Sequence, residues 1–402
     1  MTESDLLRER VIRSISTVEL ERRWKALHAL MKLKKVDFLV IQNNNDYLGG
    51  YVKWVSDVPA AFAYPVSVIF PFEEEMTMIS HGTSDPKKVG PPSWLLRGVR
   101  KRINTPIMLS LNYTTSYDAE IVVNELKEYK ECRIALVNEG AMTSGFTSYI
   151  RCHLSPAKFI DITDEIDEIK AIKSPEEIDC IRQSAYIHDE AMKTCLEAIR
   201  PGIREYEIAL KGANRFKMLG GQQGFVLVGS APPGNTFPNS PINAMNRVIQ
   251  EGDQVGILVE ATDPAGYYTH LHRTACLGKI PEELQKLFED AKEAQKLTLG
   301  LLKPGVDLMD ILAENNEFML SRGYPEEKRL FGHGQGYDLV ERPSFQSGET
   351  MKIICHMNIA VHPVVSGKGT GTLCDNYIVT EEGVSECLHK TPQQIFVVCD
   401  CR

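Results

Sequence analysis

The sequence VGILVEATDPAGYYTHLHRTACLG, residues 255–278, has the pattern of a β-hairpin. Residues 255–259 are apolar and rich in β-branched side chains, as in a buried strand. The proline in residues 262–264 ends ladder pairing, and a second strand follows. On that strand His270 and His272 are two residues apart, so alternation places both imidazoles on one face. Two such histidines on a core-like strand predict a functional partner elsewhere in the chain.

Composition limits the class of protein. The 402 residues are 43% hydrophobic and 25% charged, which is typical of a globular chain with two or three domains. The net charge of -9 argues against binding to nucleic acid or to an anionic membrane. There is no run of membrane-spanning length, and the polar start is unlike a signal peptide. The ten cysteines lack framework spacing, so we expect reduced thiols in the cytoplasm.

Periodicity predicts two domains, residues 1–165 and 166–402. Helices alternate with strands in the first, which predicts an α/β domain. The second begins near a capping-box pattern, in which Ser174 caps, Pro175 takes the first helical position and Glu177 stands three residues after the cap.

Polar groups with strong chemistry recur after residue 250 in segments that otherwise look buried. Besides the hairpin pair, His333 lies in the glycine-rich FGHGQG, His362 ends an apolar strand, and Cys374-Asp375 opens another strand. Three histidines and a thiolate brought together from separate strands are a typical site for zinc or iron.

These motifs resemble those of the pita-bread (M24) family, which includes creatinase, prolidase and methionine aminopeptidase. The resemblance rests on the helix opened by Pro175-Glu-Glu, GYYTxLxRT, FGHGxG, the MxxxxxP of residues 357–363 and YIVTEEG. It covers nearly the whole chain. It implies an α/β (α+β) chain with a creatinase-type amino-terminal domain and a carboxy-terminal pita-bread domain.

The resemblance also implies where a metal would be held. The family's metallopeptidases bind two metals through two aspartates, one histidine and two glutamates, whose positions here carry Val259, His270, His333, His362 and Cys374. Val259 has no ligating group, and the peptidases' second histidine falls on Val340, so an ordinary two-metal peptidase is not expected. One alternative is a single divalent ion, zinc or iron, held by His270, His333, His362 and Cys374. The other is catalysis without metal, as in creatinase.

Other residues receive roles from the same resemblance. His272 stands where creatinase has a glutamate, so it is a candidate general base or substrate contact, the alternative being a histidine hydrogen-bonded to a nearby loop. Glu341 and Asp375 are candidates to orient the ligand imidazoles. Glu260 follows Val259, and alternation along the strand predicts that it faces away from the site.

Substrate contacts are predicted at four aromatic residues. The glycine-broken segment 46–59 is expected to be a loop, in which Tyr51 and Trp54 would cap a pocket or pack on a dimer partner. Phe237, at the position of creatinase's catalytic histidine, and Tyr268 of the hairpin are the other two. Creatinase-type members dimerise and lend amino-terminal residues to the partner's pocket, so a homodimer is expected.

The sequence therefore predicts an enzyme that breaks a C–N bond, or a C–S bond by lyase chemistry, in a small non-peptide compound that is cationic or amphoteric. Three alternatives remain: an Xaa-Pro metallopeptidase, a metal-free creatinase-like amidinohydrolase, and a non-catalytic binding module. No nucleic-acid or membrane partner is expected.

Overall fold

The computed structural model describes residues 9, 11–43, 47, 50–59, 64–82, 95–105, 116–237 and 244–398. The chain divides into two compact units, Met1–Ile169 and Lys170–Arg402. The boundary expected from sequence, between residues 165 and 166, falls inside the helix Thr163–Ala171.

The first unit is a mixed sheet with helices packed against it. Its elements are α1 (Thr17–Lys34), β1 (Phe38–Asn43), α2 (Tyr51–Ser56), β2 (Val66–Pro71), β3 (Met76–His81), β4 (Val99–Thr105), α3 (Tyr117–Leu126), β5 (Arg133–Val137), α4 (Ser144–His153), β6 (Lys158–Ile160) and α5 (Thr163–Ala171). The six strands run in the order β4-β3-β2-β1-β5-β6, with β1 antiparallel to β2 and parallel to β5. Val40 and Leu136 of this sheet pack with Val122 and Phe146 of the helices in one apolar core.

The aromatic segment after β1 contains the helix α2, so the predicted loop is wrong there. Both predicted substrate contacts are buried in this unit: Tyr51 donates a hydrogen bond to Asp167 at 2.6 Å, and Trp54 is 2% exposed. The guanidinium of Arg23 lies 5.4 Å from the Trp54 ring centre. Both aromatic side chains are therefore buried in the folded chain. The segment's residues outside the described part of the chain are 46, 48 and 49.

The second unit holds the hairpin and every predicted metal ligand. Its elements are α6 (Pro175–Ala198), α7 (Glu205–Met218), β7 (Gly224–Ala231), β8 (Gln254–Thr262), β9 (Tyr268–Leu277), α8 (Glu282–Leu301), α9 (Leu308–Ser321), β10 (Gly332–Gly334), β11 (Glu341–Ser344), β12 (Asn358–Val361), β13 (Val364–Gly367), β14 (Gly369–Thr372), β15 (Asp375–Thr380), β16 (Gly383–Val384) and β17 (Ile395–Val398). The capping box is confirmed: the Ser174 hydroxyl accepts from the backbone N–H of Glu177, whose carboxylate accepts from the backbone N–H of Ser174.

Two sheets meet in this unit. One has the order β17-β9-β8-β7 and the other β11-β10-β12-β15-β16, and an isolated bridge between His272 and Cys374 joins β9 to the start of β15. The predicted hairpin is confirmed as β8 and β9. Its turn is held by Asp263, whose carboxylate accepts from the backbone N–H of Tyr267 at 2.9 Å, and by Gly266 at φ +99°. This conformation favours glycine.

No helix among the described residues combines the length and the apolar character needed to cross a bilayer.

Candidate metal centre

Three histidines from three strand segments converge in the second unit. His270 belongs to β9, His333 to β10, and His362 follows β12 directly. Ring centres are 5.2 Å apart for His270 and His362, 5.2 Å for His333 and His362, and 6.2 Å for His270 and His333. One ligand nitrogen from each ring lies within 4.8 Å of the other two. The group is therefore close enough to be gathered around one ion.

Sheet pairing explains this convergence. β10 and β12 are antiparallel with His333 opposite Ala360, and the backbone N–H of His362 donates to Phe331 at 2.8 Å. Close approach needs a glycine beside His333, because a Cβ on Gly334 would lie 2.4 Å from the carbonyl oxygen of Arg342. The glycine-rich motif thus lets the neighbouring strand pack closely against β10. This packing fixes the position of His333.

The ring nitrogens of these histidines are available as ligands. Both nitrogens of His270 and Nε2 of His362 are buried. None of these three atoms has a hydrogen-bond partner among the described residues. Nδ1 of His333 lies 2.9 Å from the carbonyl oxygen of Gly334, so Nδ1 carries the proton and Nε2 keeps its lone pair. Buried polar atoms normally have partners, so this set fits a divalent ion.

All three imidazoles are held neutral. Burial, reinforced by His362 and His333, keeps the pKa of His270 well below its usual range. Burial and the nearby His333 do the same to the pKa of His362, and burial lowers the pKa of His333 to about 4. Neutral imidazole is the form that ligates a metal, so no proton has to leave at neutral pH.

Cys374, the predicted fourth ligand, does not belong to the group of three. Its backbone N–H and carbonyl pair with those of His272, and its side chain is fully buried. Burial, together with the charges of Asp375 and Glu260, raises the pKa of its thiol well above the usual value. The structure brings together three of the four predicted ligands, all of them histidines.

Glu260 was predicted to face away from the site, and this prediction is wrong. In the hairpin register Glu260 is directly opposite His270, whereas Val259 is opposite Leu271. Residues directly opposite on paired strands share a face. Glu260 Oε1 accordingly lies 3.7 Å from His270 Nδ1, while Val259 is buried in the apolar core on the other face. Burial raises the pKa of Glu260 well above its usual value.

Asp375 makes its bonds to groups other than the ligand imidazoles. It binds Arg273 through two contacts of 2.7 and 3.2 Å and accepts from Gln393 at 2.8 Å. Burial alone would raise the pKa of Asp375, but Arg273 and His389 lower it to about 2. Asp375, Cys387 and His389 also have ligand atoms within 4.8 Å of one another, but the guanidinium already neutralises the carboxylate, so this group is not suited to a cation.

Glu341 is likewise engaged elsewhere. Its carboxylate accepts from Lys173 at 2.6 Å and lies 3.9 Å from Lys170, which in turn is 3.1 Å from Asp338. Burial would raise the pKa of Glu341, and the two ammonium groups more than offset it, leaving that pKa below its usual value. Among the described hydrogen bonds, neither Glu341 nor Asp375 binds a ligand imidazole, so the structure gives no support to the predicted orienting role of either.

His272 lies beside the group, and the Phe237 ring is parallel to it. The two ring planes differ by 6°, with centres 6.4 Å apart, and Phe237 reaches this position over Gly256, where a Cβ would lie 2.1 Å from its ring. Both ring nitrogens of His272 are buried without a hydrogen bond in the described part of the chain. Burial, together with Arg273, lowers the pKa of His272 to about 3.

The predicted aromatic contacts fare differently. Phe237 lines a cleft of about 390 Å³, which also has Arg329 and Thr372 in its wall. Tyr268 is fully buried, with its hydroxyl donating to Gln223 at 3.2 Å, so it is not presented to this cleft. The cleft therefore adjoins His272 through Phe237.

Residues 179–381 match the model for metallopeptidase family M24. The chain belongs to this family. It is 25% identical over 292 residues to the Xaa-Pro dipeptidase of Pyrococcus furiosus, covering 69% of this chain and 82% of that protein. It is 26% identical over 272 residues to the creatinase of Bacillus sp. (strain B-0618), covering 59% and 62%.

Solved structures show the same fold. The X-Pro aminopeptidase from Thermotoga maritima superposes with a TM-score of 0.76 at 21% identity, covering 93% of this chain and 99% of that one. The Xaa-Pro dipeptidase from Bacillus anthracis gives 0.75 at 20% identity, covering 94% and 100%. The predicted pita-bread fold is confirmed, and the family identifies the chain as an enzyme.

Proposed function

We propose that this M24 enzyme is a hydrolase that cleaves a C–N bond in a small substrate, using one divalent ion held by His270, His333 and His362. The observation that carries the proposal is a set of three neutral imidazoles, His270 and His333 buried and His362 half-buried, with one ligand nitrogen of each within 4.8 Å of the other two. A divalent ion bound there would act as a Lewis acid, polarising a carbonyl group and acidifying water.

Peptides of the Xaa-Pro type are the first substrates to test. The relatives that support the assignment include proteins named Xaa-Pro dipeptidase, which favours a peptide over the non-peptide compound expected from sequence. The cleft of about 390 Å³ beside Phe237 has the size of a small-ligand pocket.

The chain's own side chains would bind and orient the substrate. Phe237 supplies an apolar wall, and His272 presents two unsatisfied nitrogens next to it. A pKa of about 3 makes the His272 imidazole a poor base at neutral pH, because general bases work best with a pKa near the working pH. We therefore assign His272 to a hydrogen bond with the substrate and not to proton abstraction.

A creatinase-like reaction is the second candidate. It is favoured by His272, which stands where creatinase has a substrate glutamate and is buried with free nitrogens. A relative named creatinase supports testing creatine beside the peptides. The homodimer and the cytoplasmic location expected from sequence remain parts of this proposal, and light scattering of the purified protein tests the first.

The test combines metal analysis with turnover. Protein purified without chelator should contain about one divalent transition metal per chain, and His333→Ala and His362→Ala should each lose it. The matched control is His153→Ala, which replaces an exposed histidine of the first unit and should keep the metal. Hydrolysis of Xaa-Pro dipeptides should follow the metal content across these variants.

Turnover that persists undiminished in metal-free protein would overturn the metal part of the proposal. Turnover of creatine without turnover of Xaa-Pro peptides would select the second candidate.

A further inference from the structure

We infer that Glu260 is a positioning residue of the metal centre. Its carboxylate accepts a hydrogen bond from Nδ1–H of His270 and so directs Nε2 of that imidazole to the ion. The inference rests on the proposed metal site. It differs from the ligand sets considered above, because the carboxylate acts on a ligand and does not itself bind the ion.

The hairpin brings the two groups together. Glu260 and His270 are directly opposite on β8 and β9, and both side chains are buried. Oε1 of Glu260 is 3.7 Å from Nδ1 of His270, and a small side-chain rotation would close this gap to hydrogen-bond distance, about 2.8 Å. A neutral imidazole carries a proton on one nitrogen, so the nitrogen facing a carboxylate is the one to carry it.

A chain of hydrogen bonds runs from the backbone of His270 to the side chain of Glu260 and fixes how Glu260 is used. The backbone N–H of His270 donates to Asn376 Oδ1 at 2.7 Å. Asn376 Nδ2 then donates to Gln335 Oε1 at 2.9 Å, and Gln335 Nε2 donates to Glu260 Oε1 at 2.8 Å.

The direction of this chain is set by its first member. A backbone N–H can only donate, so Asn376 must turn its oxygen to His270 and its nitrogen to Gln335. Gln335 must then present its own nitrogen to Glu260. Asn358 supports this orientation, since its Oδ1 accepts from Asn376 Nδ2 at 3.0 Å. Oε1 of Glu260 is thus fixed as a hydrogen-bond acceptor, which suits it to accept a hydrogen bond from Nδ1–H of His270.

The contact would serve the metal site. Glu260 lies beside a ligand imidazole, and a divalent ion bound there would favour the ionised form of this side chain, whose pKa burial otherwise raises. A carboxylate behind a ligand histidine fixes the tautomer and makes the ligand nitrogen a stronger donor to the metal. Arrangements of this kind are worth about 10- to 100-fold in metal affinity.

The experiment compares Glu260→Gln with the wild type in the full chain. The dissociation constant for Zn²⁺ is measured by competition with a chromophoric chelator, and Co²⁺ is bound separately to record its visible spectrum. We expect Glu260→Gln to bind Zn²⁺ about 10- to 100-fold more weakly with an unchanged Co²⁺ coordination number. The matched control, Glu251→Gln, replaces an exposed glutamate just before β8 and should bind as the wild type does.

A second variant guards against a folding defect. Gln335→Met removes the N–H group that donates to Glu260 and keeps the Glu260 carboxylate itself. It should weaken Zn²⁺ binding as well, by a smaller factor than Glu260→Gln does. Circular dichroism checks that both variants are folded.

The possible results distinguish a failure of the role given to Glu260 from a failure of the proposed metal site. Unchanged Zn²⁺ affinity in folded Glu260→Gln would overturn the inference alone. A lower Co²⁺ coordination number in that variant would also overturn it, because Glu260 would then be a direct ligand. A wild type that binds neither ion would overturn the proposed metal site together with the inference.

Discussion

At the scale of single residues, Arg273 binds the groups that surround the histidines. It is fully buried and its guanidinium binds both oxygens of Asp375. It also donates to the carbonyl oxygens of His272, Pro392 and Thr391 at 2.8 to 2.9 Å. One side chain therefore holds together β9, the start of β15 and the segment before β17.

Replacing Arg273 by methionine should destabilise the second unit by about 3–5 kcal/mol, because it leaves a buried charge on Asp375 without its partner. The matched control is Arg182→Met, which breaks an exposed pair with Asp179 and should cost about 1 kcal/mol or less. Urea denaturation followed by far-UV circular dichroism measures both. Equal costs for the two variants would contradict the role given to Arg273.

The residue that sequence reasoning missed is Glu260, and the reason is geometric. Alternation along one strand shows which residues share a face with Val259, but it does not say which residue of β8 opposes His270. That register depends on the turn, which is set by the bonds of Asp263 and by Gly266. The three histidines could be predicted from sequence because the family motifs mark their positions. That prediction does not depend on the register between β8 and β9.

At the scale of elements, the sequence predicted the long and strongly patterned ones well. The hairpin and the helix after Ser174 are both present, as β8 with β9 and as α6. The failure was the helix Tyr51–Ser56. All six of its residues are buried, the polar Lys53 and Ser56 included, and a helix of fewer than two turns is too short for a sequence pattern to reveal its period.

The segment after β11 is stabilised by hydrogen bonds to the carboxylate of Glu349. It accepts from the backbone N–H groups of Ser344, Thr350 and Met351 at 2.8 to 2.9 Å and from the guanidinium of Arg342. Burial would raise the pKa of Glu349, but these donors lower it to about 2.

This shift predicts a pH-dependent stability. An unfolded glutamate has a pKa of about 4.3, so the ionised form contributes its full stability above that pH and loses it as the pH falls towards 2. Glu349→Gln should cost about 1.5–3 kcal/mol at pH 7, and the difference from wild type should shrink between about pH 4.5 and pH 2. Urea titrations across this range measure it, with the exposed Glu382→Gln as control. A difference independent of pH would contradict the assignment.

At the scale of the whole molecule, the two units carry separate probes. Each has its own apolar core, and the three tryptophans, at positions 24, 54 and 94, all fall within Met1–Ile169. All three histidines of the candidate metal centre fall within Lys170–Arg402. Tryptophan fluorescence therefore reports on the first unit, while the chemistry belongs to the second.

Metal binding should accordingly stabilise the second unit selectively. A ligand at 100 times its dissociation constant stabilises the fold that binds it by about 2.7 kcal/mol. Added Zn²⁺ should slow hydrogen exchange in peptides from β9, β10 and β12 and leave the thermal transition of tryptophan fluorescence in place. His333→Ala should abolish the slowing. A shift of the fluorescence transition equal to the stabilisation of β9 would mean that the units unfold together, which would contradict the expected selective stabilisation of the second unit.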